Sequence, residues 1–276
     1  MSAAAALPQS SAQGTLPASQ YHVTFGHAVS SEWVKFRTLR STMWTLGATF
    51  VVLVGLAALV AGTTGSPDAG PNFSDADIAT TPLVAGTGFG QLVLAVLGAL
   101  TITGEYSTGM IRSTFSAVPT RTPALIAKAV VVVVASFLVA LVATVVAVAI
   151  VTPIFSGKPW ALDLGNQDIL RVVIGVPLYL AATALLALAF GILIRSSAGA
   201  IFAVIGLVLV VGPILANIPV HWLNNIADYL PSQAGQNLLT INPTQGPAPW
   251  IGFLVMAAWS VGLFAIGTII AKNRDA

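Results

Sequence analysis

The chain has 276 residues, of which 56% are hydrophobic and 7% charged, and its mean hydropathy is +0.90. Soluble domains carry about 25% charged residues, so this chain lacks the charge to cover a water-facing surface and its solvent is read as lipid. The net charge of +2 comes from eleven scattered Lys and Arg, a distribution that argues against a nucleic-acid binder. With no Cys, disulfides and thiolate metal sites are excluded. His22, His27 and His221 are read as surface or interfacial residues. His22 and His27 can share a helical face, but two ligands make a poor metal site.

Residues 1–22 are poor in charge and rich in Ala, Ser, Gln, Gly and Pro. They are expected to form a disordered cytoplasmic tail. They lack the basic and apolar regions of a secretory signal, so the first span is expected to act as its own insertion signal. Over 23–43, Phe25, Val29, Trp33, Phe36, Leu39 and Met43 recur at steps of three or four. His27, Ser31, Glu32, Lys35, Thr38 and Ser41 occupy the other faces. This spacing predicts an amphipathic helix lying in the headgroup plane. The alternative is a helix that extends the first span into water.

Six apolar runs follow, at about 44–62, 83–103, 125–155, 172–194, 198–216 and 250–271. Each is long enough to cross a core of about 30 Å at 1.5 Å per residue. The predicted fold is an all-α integral membrane protein: one six-helix domain over 44–272, then a short cytoplasmic tail over 273–276. Gly86, Gly88, Gly90 and Gly98 in the second run permit close helix packing. Pro177 is expected to loosen the first turns of the fourth. With six spans, nine of the eleven basic residues fall on one side, leaving Lys158 and Arg171 on the other. The positive-inside rule then places both chain ends in the cytoplasm.

No ionisable residue lies deep in a run. Glu105, Lys128, Arg171 and Arg195 sit at run ends, where snorkelling is cheap. This weighs against a proton relay or a charged pore. The phosphate-loop, H-E-x-x-H and G-x-S-x-G motifs are all missing, so active transport would need energy from a partner. One polar stretch looks built for a protein contact: Gly104 to Arg121, after the second span. Ser107 or Thr108 is expected to cap a short helix through Met110, Ile111 and Phe115 that ends at Pro119. Such a helix, with an apolar edge and Arg112, suits the groove of a soluble partner. The alternative is an ordinary connector between spans.

Three segments carry a resemblance. Ser31-Glu32-Trp33-x-Lys35-x-Arg37-x-x-Arg40-Ser41-Thr42 is followed by Glu105-Tyr106-x-x-Gly109-Met110-Ile111-Arg112-x-Thr114 with Pro119-Thr120-Arg121. Tyr229-Leu230-Pro231-Ser232-x-Ala234-Gly235-Gln236 comes last. In this order among six spans, they resemble permease subunits of type-2 ATP-binding-cassette (ABC) transporters, in a form common in high-GC Gram-positive bacteria. The resemblance covers roughly residues 24–272. It implies an elbow helix carrying Glu32, Trp33, Lys35, Phe36, Arg37 and Arg40. It implies a coupling helix, in a loop carrying Glu105, Tyr106, Gly109, Met110, Ile111, Arg112, Phe115 and Arg121, that docks on a separate ATPase. It also implies short external helices over 217–249, with Trp222, Tyr229, Pro231 and Gln236 in a gate region.

The assembly so implied is an exporter in the bacterial plasma membrane. It pairs two permease copies, a homodimer, with two ABC ATPase subunits. This chain would carry no catalytic residue, metal or cofactor, since ATP and Mg would bind the ATPase. The second span's glycines would pack at the permease dimer interface. The competing expectations are a stand-alone carrier or channel, and a non-transport scaffold or immunity component.

Overall fold

The computed structural model describes residues 24–64, 74–117, 121–218, 220–243 and 246–273. The tail over 1–22, Pro119, Thr120 and residues 274–276 lie outside the described residues. Among the described residues every regular element is helical. Six helical stretches are long and apolar enough to cross a membrane: Arg40–Thr63, Asp75–Thr108, Thr122–Phe155, Gln167–Ile194, Ser197–Leu215 and Pro249–Asn273.

The amphipathic segment forms α1 (Phe25–Thr38), with Thr24 as its N-cap. Leu39 is extended (φ −74°, ψ 116°) and separates it from α2 (Arg40–Thr63). The break places Arg40 and Met43 on the first span. The second span is α3 (Asp75–Ala85) followed by α4 (Thr87–Thr108), joined at Gly86. It begins earlier than the apolar run because Ser74 and Asp77 form a capping box. The Asp77 amide donates to the Ser74 hydroxyl (3.2 Å) and the Ser74 amide to the Asp77 carboxylate (3.0 Å). Reciprocal capping of this kind lets a helix start in polar sequence. A Cβ on Gly86 would lie 2.8 Å from the Leu53 Cα, so α2 passes too close there for any larger residue.

After α5 (Met110–Ala117) come α6 (Thr122–Phe155) and α7 (Gln167–Ile194). The latter starts at the Asn166 cap, whose side chain accepts from the Asp168 amide (2.9 Å). It runs on as helix through Pro177. The fifth span is α8 (Ser197–Ile205), a π-helical segment (Gly206–Val211) and α9 (Gly212–Ala216). Pro213 explains the π segment: it has no N–H, and its ring displaces the carbonyl four residues back. Two short helices, α10 (His221–Ala227) and α11 (Pro231–Gln236), then a 3₁₀ turn (Asn237–Leu239), precede α12 (Pro249–Asn273).

The central helix is α7, against which α4, α6 and α12 pack. Tyr179, Leu180, Leu186 and Leu188 are completely buried on it. In lipid the hydrophobic effect does not drive helices together, so close backbone approach and interhelical hydrogen bonds carry the packing. A Cβ on Gly98 would collide with the Ala184 carbonyl, and one on Gly191 with Ile102. Gly98 is thus used inside the bundle, against α7, where a subunit interface was the expectation. Ser260 donates to the Ala182 carbonyl (3.0 Å) across α12 and α7.

Of the ten described Lys and Arg, eight gather at one end of the bundle. There Arg121 donates to the Ala271 carbonyl (2.9 Å), and Ser197 to Thr103 Oγ1 (2.8 Å). These two contacts fasten the end of α12 to the start of α6 and the end of α4 to the start of α8.

Candidate functional site: an ion cluster at the basic end

The inner face of α1 is Ala28, Glu32 and Phe36, spaced by four so that they form one row. This row places a carboxylate against the bundle. Phe25, Trp33 and Leu39, three of the predicted apolar anchors, are instead exposed, as suits side chains facing lipid. Trp33 stacks on Phe36 with ring centroids 6.3 Å apart.

Glu32 meets Lys128 from the second turn of α6 and Glu105 from the end of α4. Lys128 Nζ donates to Glu32 Oε2 (2.5 Å) and to Glu105 Oε1 (2.8 Å). Lys35 Nζ donates to Glu32 Oε1 (2.7 Å) and reaches Glu105 Oε1 and Thr114 Oγ1, both at 3.4 Å. Two cations and two carboxylates therefore tie α1, α4, α5 and α6 into one joint. The Lys128 side chain is only 4% exposed. It does not snorkel, as expected of a residue near a span end, because two carboxylates meet it inside the protein.

Burial alone would push the Glu32 carboxyl upward. The Lys128 charge and hydrogen bond, then those of Lys35, outweigh it and hold the carboxyl below its ordinary range. Burial would likewise lower Lys35. Its hydrogen bond to Glu32 and the charges of Glu105 and Glu32 outweigh that and raise it. Both groups are thus held charged.

The loop helix divides into two faces. Gly109 in the left-handed region (φ 73°) ends α4 and starts the turn into α5. The Ser107 and Thr108 hydroxyls do not cap α5; both bond back to the Gly104 carbonyl. Ile111 and Phe115, four apart, are buried in a cluster with Ile102, Leu125 and Ile192. Ile111 and Phe115 thus face the chain's own interior, although both were read as candidate apolar contacts for a partner, and Glu105, a candidate for a polar contact or a local ion pair, makes the ion pair. Met110, Arg112, Ser113 and Ser116 are exposed. Arg121 lies over the Phe115 ring at 5.2 Å, and Arg195 over Tyr106 at 5.1 Å.

Arg37 and Arg40 are exposed at the same end. The four expected gate residues are not brought to this site. Trp222 and Tyr229 are exposed near α10, Pro231 is buried at the start of α11, and Gln236 is exposed at its end. The Trp259 indole donates to the Tyr229 carbonyl (3.0 Å).

A second polar feature lies inside the spans. Tyr179 OH donates to Gln91 Oε1 (2.5 Å), and both residues are buried. They border a cavity of about 140 Å³ with Thr87, Gln236 and Thr240. Sequence reading missed this pair, because uncharged polar residues in an apolar run do not stand out from the helix surface. It also missed the role of Lys128. The available signal was a lysine set between Ala127 and Ala129, inside the apolar stretch. Compared with known proteins, the chain matches no family model and no curated protein.

Proposed function

We propose that this chain is the membrane-spanning permease subunit of an ATP-driven exporter of the type-2 ABC kind, driven by a separate ATPase. The observation that carries the reading is the joint at the basic end. A helix outside the spans and two spans share one largely buried ion cluster, which the loop helix α5 reaches through the Thr114 hydroxyl. A push on the exposed face of α5 would pass through it to α4 and α6 together. Rigid switching of packed helices is a recognised way for a site to drive a distant change of shape. The chain has no phosphate loop, so the push comes from a partner that binds ATP. The positive-inside rule sets the basic end in the cytoplasm, where ATP is. The full transporter would be two permease copies with two ATPase subunits in a bacterial plasma membrane, and export as the direction rests on the family resemblance.

The test is co-purification of the solubilised chain with the ATPase encoded beside it, followed by ATP-dependent transport in vesicles. Arg112→Glu, on the exposed face of α5, is expected to abolish association while leaving thermal stability within about 0.5 kcal/mol. Association that survives Arg112→Glu undiminished would count against docking at α5. A second reading, a stand-alone carrier, draws on the buried Gln91–Tyr179 pair and its polar cavity. It predicts substrate uptake by vesicles containing this chain alone.

A further inference from the structure

Beside the ion cluster lies a cavity of about 440 Å³, within the range of roughly 300–1,000 Å³ found for ligand pockets. It sits between α1, the first turns of α2 and the last turns of α4. Leu39, Leu97, Leu100, Met110 and Val131 supply much of its apolar wall. Six hydroxyl side chains also border it. Four are satisfied by carbonyls of their own helix: Thr38 by Val34 (2.9 Å), Thr45 by Ser41 (3.0 Å), Thr101 by Leu97 (2.7 Å) and Thr108 by Gly104 (2.8 Å).

The other two are Ser41 and Thr42, in the first turn of α2. Their hydroxyls donate to no atom of the described residues, although Thr42 is only 6% exposed. The helix start beside them is also unsatisfied. Leu39 at the N-cap has no side chain that can accept, and no cap bond forms. The first backbone bond into α2 is from the Met43 amide to the Leu39 carbonyl (3.3 Å). The amides of Arg40, Ser41 and Thr42 therefore have no acceptor among the described residues. Free N–H groups at the positive end of a 24-residue helix attract an anion.

The charge balance points the same way. Glu32 and Glu105 also border the cavity; Lys35 and Lys128 match their two charges, although Glu105 Oε2 is buried without a partner among the described residues. That leaves the end of α2, which begins at Arg40, to set a positive sign. A free phosphate would use the donors and leave the apolar walls unfilled. A lipid with an anionic headgroup uses both.

We propose that this cavity binds an anionic membrane phospholipid. The phosphate sits on the Ser41 and Thr42 donors, and an acyl chain lies between Leu39, Leu97, Leu100 and Val131. The proposal does not depend on the export reading, since it concerns only this chain and the bilayer.

The test uses the purified full chain in neutral detergent, with bound lipid measured by native mass spectrometry. Dioleoylphosphatidylglycerol should be retained about tenfold better than dioleoylphosphatidylcholine, an effect of charge-assisted hydrogen bonds. Thr42→Val keeps the shape and removes a donor, and should cut that preference several-fold. Leu100→Trp fills the cavity and should lower retention of both lipids. If Leu100→Trp does not fold, Thr42→Val decides alone. Equal retention of the two lipids by the unmodified chain would overturn the proposal. So would an unchanged preference in Thr42→Val, or displacement of phosphatidylglycerol by inorganic phosphate at equal concentration.

Discussion

The two ends of the helix bundle hold their charges in different ways. At the basic end Arg121 donates to the Ala271 backbone, but the buried hub differs: Lys35 and Lys128 are satisfied by side-chain carboxylates from α1 and α4. At the other end, cations go mainly to backbone. Arg171 donates to the Thr240 and Ile241 carbonyls (2.9 and 3.1 Å) and pairs with the exposed Asp168 at 3.4 Å. Lys158 reaches the Thr64 carbonyl at 3.4 Å and lies over the Phe155 and Trp160 rings. A carbonyl cannot be protonated or substituted away, so that end is fastened by fixed partners. A carboxylate can lose its charge, and four charges that share partners stand or fall together. The basic end is thus the end whose geometry can respond to a change of charge.

Removing the hub should show the largest difference. Lys128→Met leaves Glu32 and Glu105 buried with Lys35 as their only cation. It should cost about 3–5 kcal/mol, the usual penalty for breaking a buried ion pair, measured by denaturant titration in micelles. Adding Glu32→Gln and Glu105→Gln to Lys128→Met should recover much of that loss, because no uncompensated carboxylate remains. If Lys128→Met unfolds at the same denaturant concentration as the unmodified chain, the cluster is not the joint described.

A smaller and more local effect belongs to the other end. Arg171→Met removes two charge-assisted bonds to backbone and should cost roughly 1.5–3 kcal/mol. Hydrogen exchange should quicken over 237–241 and stay unchanged in α1. Equal quickening at both ends would erase the distinction between them.

The smallest effect is on pH dependence. Glu32 is held below the ordinary carboxylate range. Its stabilisation is present in full above about pH 4.3 and is lost as pH falls through its lower folded value. Lys35 is raised, so its contribution is full below about pH 10.4 and is lost as pH rises through its higher folded value. Melting temperature should therefore be flat across neutral pH, with an acid limb that Glu32→Gln flattens. A steep change between pH 6 and 8 would point to other groups.

Much of the frame was legible in the residues. The six apolar runs match six helices because length and hydropathy alone decide whether a helix suits lipid. The second helical stretch extends beyond its apolar run, since the cap at Ser74 and Asp77 lies in polar sequence. The helix before the first span was legible from its spacing, but its inner face was not. Periodicity marked Phe25, Trp33 and Leu39 as anchors for the headgroup plane, and they are exposed, but nothing in the spacing showed that the protein buries Glu32. In water an apolar stripe points to the core, but in a membrane it points to either solvent or core. The residues of the loop after the second span were legible as a group. Their division into an inner Ile111 and Phe115 and an outer Met110 and Arg112 depended on where α5 meets α4 and α6.

By itself, the sequence determined the solvent, the number of spans and the gathering of basic residues at one end. Each depends on local composition and on counting along the chain. Only the tertiary structure decided that Lys128 stays inside, that Gly98 packs against α7, and that the free donors of Ser41 and Thr42 open on an apolar cavity. Those outcomes depend on which residues meet across helices, such as Glu32 and Lys128, 96 positions apart. No local pattern records that meeting, because the partners are chosen by the packing of whole helices.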